Sequence, residues 1–109
     1  MTNPGTVRVA LVEDDVRTRE ALRLLLDGTE GFRCVAVSGS VEGALRSAAA
    51  EAPEVILLDV DLPGTPGPEG VGKLAARYPE ATILMLSVYA DEEWVLASIC
   101  NVVSGSLVK

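Results

Sequence analysis

Four consecutive apolar residues, Val55-Ile56-Leu57-Leu58, run without polar alternation into Asp59 and on through Val60-Asp61-Leu62-Pro63. A run of this kind reads as a strand buried on both faces, the pattern of a central parallel strand with helices packed on either side. Asp59 then stands at the carboxyl end of that strand, the edge at which open α/β sheets usually place their chemistry. Pro63 pushes Leu62 towards an extended conformation, and Gly64, Pro66 and Gly67 follow, so the chain leaves Asp59 as a shaped loop. The competing reading is that Asp59 merely ends a strand or caps a turn.

The remaining elements fall in order around this strand. Met1 to Thr6 has nothing to bury and reads as a frayed leader, with one domain over residues 7–109. Val7 to Val12 reads as a strand, and Glu13, Asp14 and Asp15 follow it directly. The spacing of Val16, Ala21, Leu22, Leu25 and Leu26 predicts a helix to about Asp27, with Asp15 as its N-cap and Gly28 as its stop. Phe32 to Val37 is a second strand, and Ser40 caps a helix from Val41 to Ala52 that Pro53 ends. After the central strand come a helix from about Glu69 to Tyr78 and a strand from Thr82 to Leu86. Asp91 caps a further helix to about Cys100, and Ser106 to Lys109 is a short strand candidate. Five strands alternating with four helices argue for right-handed βαβ units and a doubly wound parallel sheet.

Composition narrows the function. With 16 acidic and nine basic residues, the net charge of −7 disfavours direct binding of nucleic-acid phosphates and favours a cation or a basic partner. There is no histidine, which removes the commonest general base and any histidine-containing metal site. Cys34 and Cys100 have no metal-ligand spacing and read as core thiols of a reducing, cytoplasmic compartment. No apolar run reaches the roughly 20 residues of a membrane span, and no stretch has the basic, apolar and small-residue order of a signal peptide.

Parallel strands bring Glu13, Asp14 and Asp15, Asp59, Ser87 and Lys109 to one edge of the sheet. Clustered carboxylates repel unless a cation or a shared proton compensates. Mg²⁺ suits such a cluster, because it takes oxygen ligands and is commonly held by one or two carboxylates together with a phosphoryl oxygen. A carboxylate facing the open edge can then attack a phosphoryl donor. Taken singly, Asp15 is better explained as a helix cap, Ser87 as a strand-end hydroxyl and Lys109 as a solvated surface lysine; their joint arrangement carries the inference.

Leu11-Val12-Glu13-Asp14-Asp15, Leu57-Leu58-Asp59-Val60-Asp61-Leu62-Pro63-Gly64, Leu86-Ser87 and Leu107-Val108-Lys109, in that order, resemble the receiver domain of two-component response regulators over nearly the whole chain. The resemblance implies a flavodoxin-like, five-stranded parallel sheet of order 2-1-3-4-5, the order known for single-domain receivers. It also implies that Asp59 accepts the phosphoryl group from a sensor histidine kinase, and that Glu13, Asp14, Asp59 and the backbone carbonyl of Asp61 hold Mg²⁺. By the same resemblance Ser87 follows the phosphoryl group on activation and Lys109 pairs with its oxygens. Such a domain catalyses nothing beyond its own phosphorylation and dephosphorylation. The stretch Arg19-Glu20-Ala21-Leu22-Arg23-Leu24-Leu25-Leu26 is similar to receivers that precede a LuxR-type DNA-binding domain, so transcription regulation belongs to a longer parent.

Two departures stand out. Ser106 occupies the position where receivers carry a switch aromatic, and Asn101-Val102-Val103 lacks the small residues common in that loop. Two rivals remain: a haloacid-dehalogenase-like phosphatase with Asp59 as nucleophile and Asp61 as acid/base, and a receiver that binds partners without phosphorylation. The family fold closes with a fifth helix after the lysine strand, and no residues follow Lys109 to build one. The expectation is therefore a partly uncovered sheet face near the first, third and fifth strands, covered by a continuation of the chain or by a second copy in a homodimer.

Overall fold

The computed structural model describes residues 6–46, 52–59, 67–86, 93 and 95–99. Strands β1 (Val7–Val12), β2 (Phe32–Ser38), β3 (Val55–Asp59) and β4 (Thr82–Leu86) alternate with helices α1 (Val16–Gly28), α2 (Val41–Arg46) and α3 (Gly67–Arg77). A further helical segment, α4, covers residues 95–99. The four strands form one parallel sheet of order β2-β1-β3-β4, the first four positions of the expected arrangement. The expected fifth strand at residues 106–109 lies outside the described residues.

β3 is buried along its whole length, as an unalternating apolar run between two helix layers must be. Its pleat sends Val55 and Leu57 to one face, with Val9 and Leu11 of β1, and Ile56 and Leu58 to the other, with Ala10 and Val12. Leu26 of α1 covers the first face, and Val41, Ala44 and Leu74 of α2 and α3 cover the second. Burying one such leucine or isoleucine contributes roughly 1.5–3 kcal/mol. In β2 the register slips between Cys34, opposite Val9, and Ala36, opposite Ala10. Val35 is thus a bulge residue, and the slip sends Cys34 to one core and Ala36 to the other.

Several element ends differ from the sequence reading. Gly28 does not stop α1; it is helical, and Thr29 is the C-cap, with its hydroxyl donating to the Leu25 carbonyl at 2.7 Å. The left-handed turn falls instead at Gly31, φ 96°, where the carbonyl accepts from the Val7 amide and ties the turn to β1. Val16, counted on the apolar face of α1, is 59% exposed, because the stripe that meets the sheet starts at Leu22. Ser40 does cap α2, its hydroxyl accepting from the Gly43 amide at 3.0 Å. Ala52 is no longer helical, and α3 begins two residues before Glu69 and ends one residue before Tyr78.

The larger correction concerns the face expected to stand open. Val9 and Val55 are 0% and Leu11 and Leu57 1% exposed, because Val95 and Ile99 of α4 pack on them beside Leu26. A right-handed crossover from β4 to a strand beyond it would have seated α4 on the other face, beside α3. The apolar surface next to α1 takes the helix instead, and Met85, which shares the α3 side with its register partner Leu58, is left 36% exposed.

Candidate acidic site at the carboxyl edge of the sheet

The site follows from register. Val12 pairs with Leu58, so the next residues, Glu13 just past β1 and Asp59 at the end of β3, stand side by side. Their carboxylates and that of Asp14 lie within 4.8 Å of one another. Glu13 and Asp59 are only 9% and 8% exposed, whereas Asp14 faces solvent. The β1–α1 turn is held from three sides. The Glu13 amide donates to the Ser38 carbonyl at the end of β2, 2.9 Å. The Asp15 amide donates to the Glu13 carboxylate at 3.0 Å, and Arg19 donates from its guanidinium to the Glu13 carbonyl at 3.1 Å.

Asp15 turns away from this group. Its carboxylate accepts from the Arg17 amide at 3.0 Å and caps α1, as its position before an apolar-periodic segment suggested. Burial and crowding both act on the Glu13 carboxyl. Burial, the largest cause, pushes its pKa up from 4.5 to about 7; the charge of Asp59 and a hydrogen bond with it add to the rise, and the Asp15 amide opposes it. Three crowded carboxylates, one of them reluctant to ionise, suit a hard divalent cation, which restores the charged form by supplying the missing positive charge.

Of the sequence-derived candidates, the structure brings together Glu13, Asp14 and Asp59. Asp61, Ser87, Ser106 and Lys109 lie outside the described residues, as do the Asp91 cap and Cys100. Cys34 is a free, half-buried thiol whose pKa burial raises, so it is a packing residue. Arg19 and Gly39 were not singled out from the sequence. The signal was present in the glycine directly after β2: a Cβ there would stand 3.1 Å from the Arg19 guanidinium, so the missing side chain leaves room for that group. Among the described residues no helix is long and apolar enough to cross a membrane.

Residues 9–109 match the response regulator receiver domain. The chain is 30% identical to the transcriptional regulatory protein DegU of Brevibacillus brevis, over 98% of this chain and 45% of that protein. It is 36% identical to the DNA-binding transcriptional activator DevR/DosR of Mycobacterium tuberculosis, over 94% of this chain and 48% of that protein. The chain thus spans about half the length of these curated relatives. Its fold superposes on the signal receiver domain of a modulated diguanylate cyclase from Desulfovibrio desulfuricans G20 with a TM-score of 0.67 at 27% identity, over 86% of this chain and 74% of that one. A match running from the middle of β1 to the last residue, together with the acidic edge and the strand order, places the chain in the response regulator receiver domain family of two-component systems.

Proposed function

We propose that residues 7–109 form a phosphoacceptor receiver in which Asp59 takes a phosphoryl group from a sensor histidine kinase in a Mg²⁺-dependent step. The observation that carries this reading is the crowding of Glu13 and Asp14 around Asp59 at the end of the central strand. Glu13, Asp14 and Asp59, with the Asp61 carbonyl, would hold Mg²⁺, which would supply positive charge against the incoming phosphoryl group in a step dominated by positioning and electrostatics. Glu13 and Asp14 would hold the cation beside Asp59, and one carboxylate oxygen of Asp59 would attack phosphorus. The phosphorus–nitrogen bond to the donor imidazole breaks as the acyl phosphate forms. Lys109 pairs with the phosphoryl oxygens, Ser87 follows the group as the switch hydroxyl, and Ser106 leaves that switch without an aromatic ring.

The protein acts in the cytoplasm and catalyses only its own phosphorylation and dephosphorylation. Two relatives are described as transcriptional regulators, so DNA contact resides in an output domain of a longer parent, and the acidic receiver itself makes none. Labelling with acetyl phosphate and Mg²⁺ tests the reading. One acid-stable, base-labile phosphoryl group per chain is expected, and none in Asp59→Asn. Equal labelling of that variant refutes the assignment, steady turnover of a generic phosphate ester points to a phosphatase, and no labelling at all points to a phosphorylation-independent module.

A further inference from the structure

Glu13 is held at its side chain by the Asp15 amide and at its backbone by two neighbours, the Ser38 carbonyl and the Arg19 guanidinium. The first two holds are ordinary consequences of a strand running into a capped helix. The third is not. It needs a long side chain on the first turns of α1 to reach back six residues, and it needs space beside β2's exit, which Gly39 provides. A Cβ at Gly39 would meet the Arg19 guanidinium nitrogen, the same atom that donates to Glu13, at 3.1 Å. At that separation the guanidinium would have to give by a few tenths of an ångström.

We infer that Arg19 is a positioning residue for the acidic site: through the Glu13 carbonyl it fixes the turn that aims Glu13 and Asp14 at Asp59, with Gly39 as the opening that admits it. This deepens the phosphoacceptor reading and rests on it. Arg19 acts through the backbone of Glu13 rather than on the cation or the phosphoryl group. A guanidinium suits the task because it stays charged and is planar and rigid, and a charge-assisted bond to a carbonyl is stronger than a neutral one.

The sign of one measurement separates this role from simple electrostatics. A positive charge near a cation site repels Mg²⁺, so if Arg19 acted only as a charge, removing it would tighten Mg²⁺ binding. If it positions the ligands, removing it loosens binding, because outer partners that orient metal ligands commonly matter by about tenfold or more. The experiment is a calorimetric titration of the whole 109-residue chain with Mg²⁺ alone, alongside its rate of labelling by acetyl phosphate. Arg19→Ala is expected to weaken Mg²⁺ binding by about tenfold and to slow labelling in parallel. Arg19→Lys, which keeps the charge and loses the planar fork, is expected to recover only part of that loss.

Gly39→Ala retains the arginine but crowds its seat, so it should weaken Mg²⁺ binding in the same direction and by less. The two changes act on one contact. Arg19→Ala with Gly39→Ala should therefore be no worse than Arg19→Ala alone, whereas independent structural damage would multiply. Unchanged or tighter Mg²⁺ binding in Arg19→Ala, or full additivity in the double variant, overturns the inference while a wild type that binds Mg²⁺ and labels at Asp59 leaves the phosphoacceptor reading standing. A wild type that does neither overturns both. Should Arg19→Ala not fold, the Arg19→Lys and Gly39→Ala pair gives the same cycle.

Discussion

At the amino-terminal edge of the sheet, charge is answered within the same layer: the Arg8 guanidinium lies 3.5 Å from the Glu54 carboxylate, and its Nε donates to the Ala52 carbonyl at 2.7 Å. The backbones of the same two residues are joined as well, the Glu54 amide donating to the Arg8 carbonyl at 2.8 Å. At the carboxyl-terminal edge the same two strands, β1 and β3, deliver like charges into one buried place, and burial first, with the charge of Asp59 adding to it, pushes the pKa of Glu13 up to about 7. One pair of strands thus ends in a clamp on one side and in an electrostatic conflict on the other. The clamp serves the fold. The conflict costs stability in the metal-free chain, and a fold keeps such a cost where a ligand relieves it.

The sharpest way to expose that difference is pH. Glu13 binds its proton more tightly in the folded chain, with a pKa of about 7, than at its ordinary value of 4.5. The sign follows: the contribution is fully present below about 4.5 and is lost as pH rises through about 7. Without metal, chemical denaturation should therefore show a fall on the order of 2–3 kcal/mol between about pH 4.5 and 8 from this group. Glu13→Gln should flatten that slope, and Mg²⁺ at about pH 8 should restore the wild type's stability without helping the variant equally. An equally steep profile in Glu13→Gln would place the conflict elsewhere.

Next in size is the division of labour inside the acidic turn. Neutralising Glu13 or Asp14 should weaken Mg²⁺ binding about tenfold, equivalent to ~1.4 kcal/mol, and slow phosphorylation. Asp15→Ala should leave Mg²⁺ binding within about twofold yet lower stability by ~1 kcal/mol, the usual worth of an N-cap. A metal titration in which Asp15→Ala is the weaker binder would move the ligand pair by one residue.

The two edges were not equally legible in the sequence. At the carboxyl edge the meeting of Glu13, Asp14 and Asp59 was readable because carboxylates are of the wrong type for the ends of apolar strands, and because parallel order alone carries them to one side. The central strand, β1, β4 and the Asp15 and Ser40 caps followed from local rules of periodicity and side-chain capping. What failed were features decided at a distance. Gly28 looked like a helix stop, but the tie between the Gly31 carbonyl and Val7 places the left-handed turn three residues later. The face that α4 covers is likewise set by tertiary packing, Val95 and Ile99 joining Val9, Leu11, Val55 and Leu57 beside Leu26. The pairing of Arg8 with Glu54 spans 46 residues, and Arg19 reaches Glu13 through a gap that only a three-dimensional neighbour, Gly39, supplies.

The smallest expected effect tests whether the two edges are independent. The Arg8 and Glu54 side chains are 30% and 40% exposed, so water and salt screen much of their attraction. Their coupling in a double-mutant cycle with alanine should be about 0.2–1 kcal/mol, and it should shrink at about 1 M salt, where the screening length falls to about 3 Å. Arg8→Ala alone should cost somewhat more than the coupling, because it also frees the Ala52 carbonyl from its partner. Neither substitution touches the acidic turn, and sites more than about 7–10 Å apart with no shared partner usually add. Mg²⁺ affinity in Arg8→Ala and Glu54→Ala should therefore equal that of the wild type. A loss of Mg²⁺ binding on breaking the clamp would mean that β1 and β3 transmit strain along their length, so that the paired edge helps to set the geometry of the crowded one.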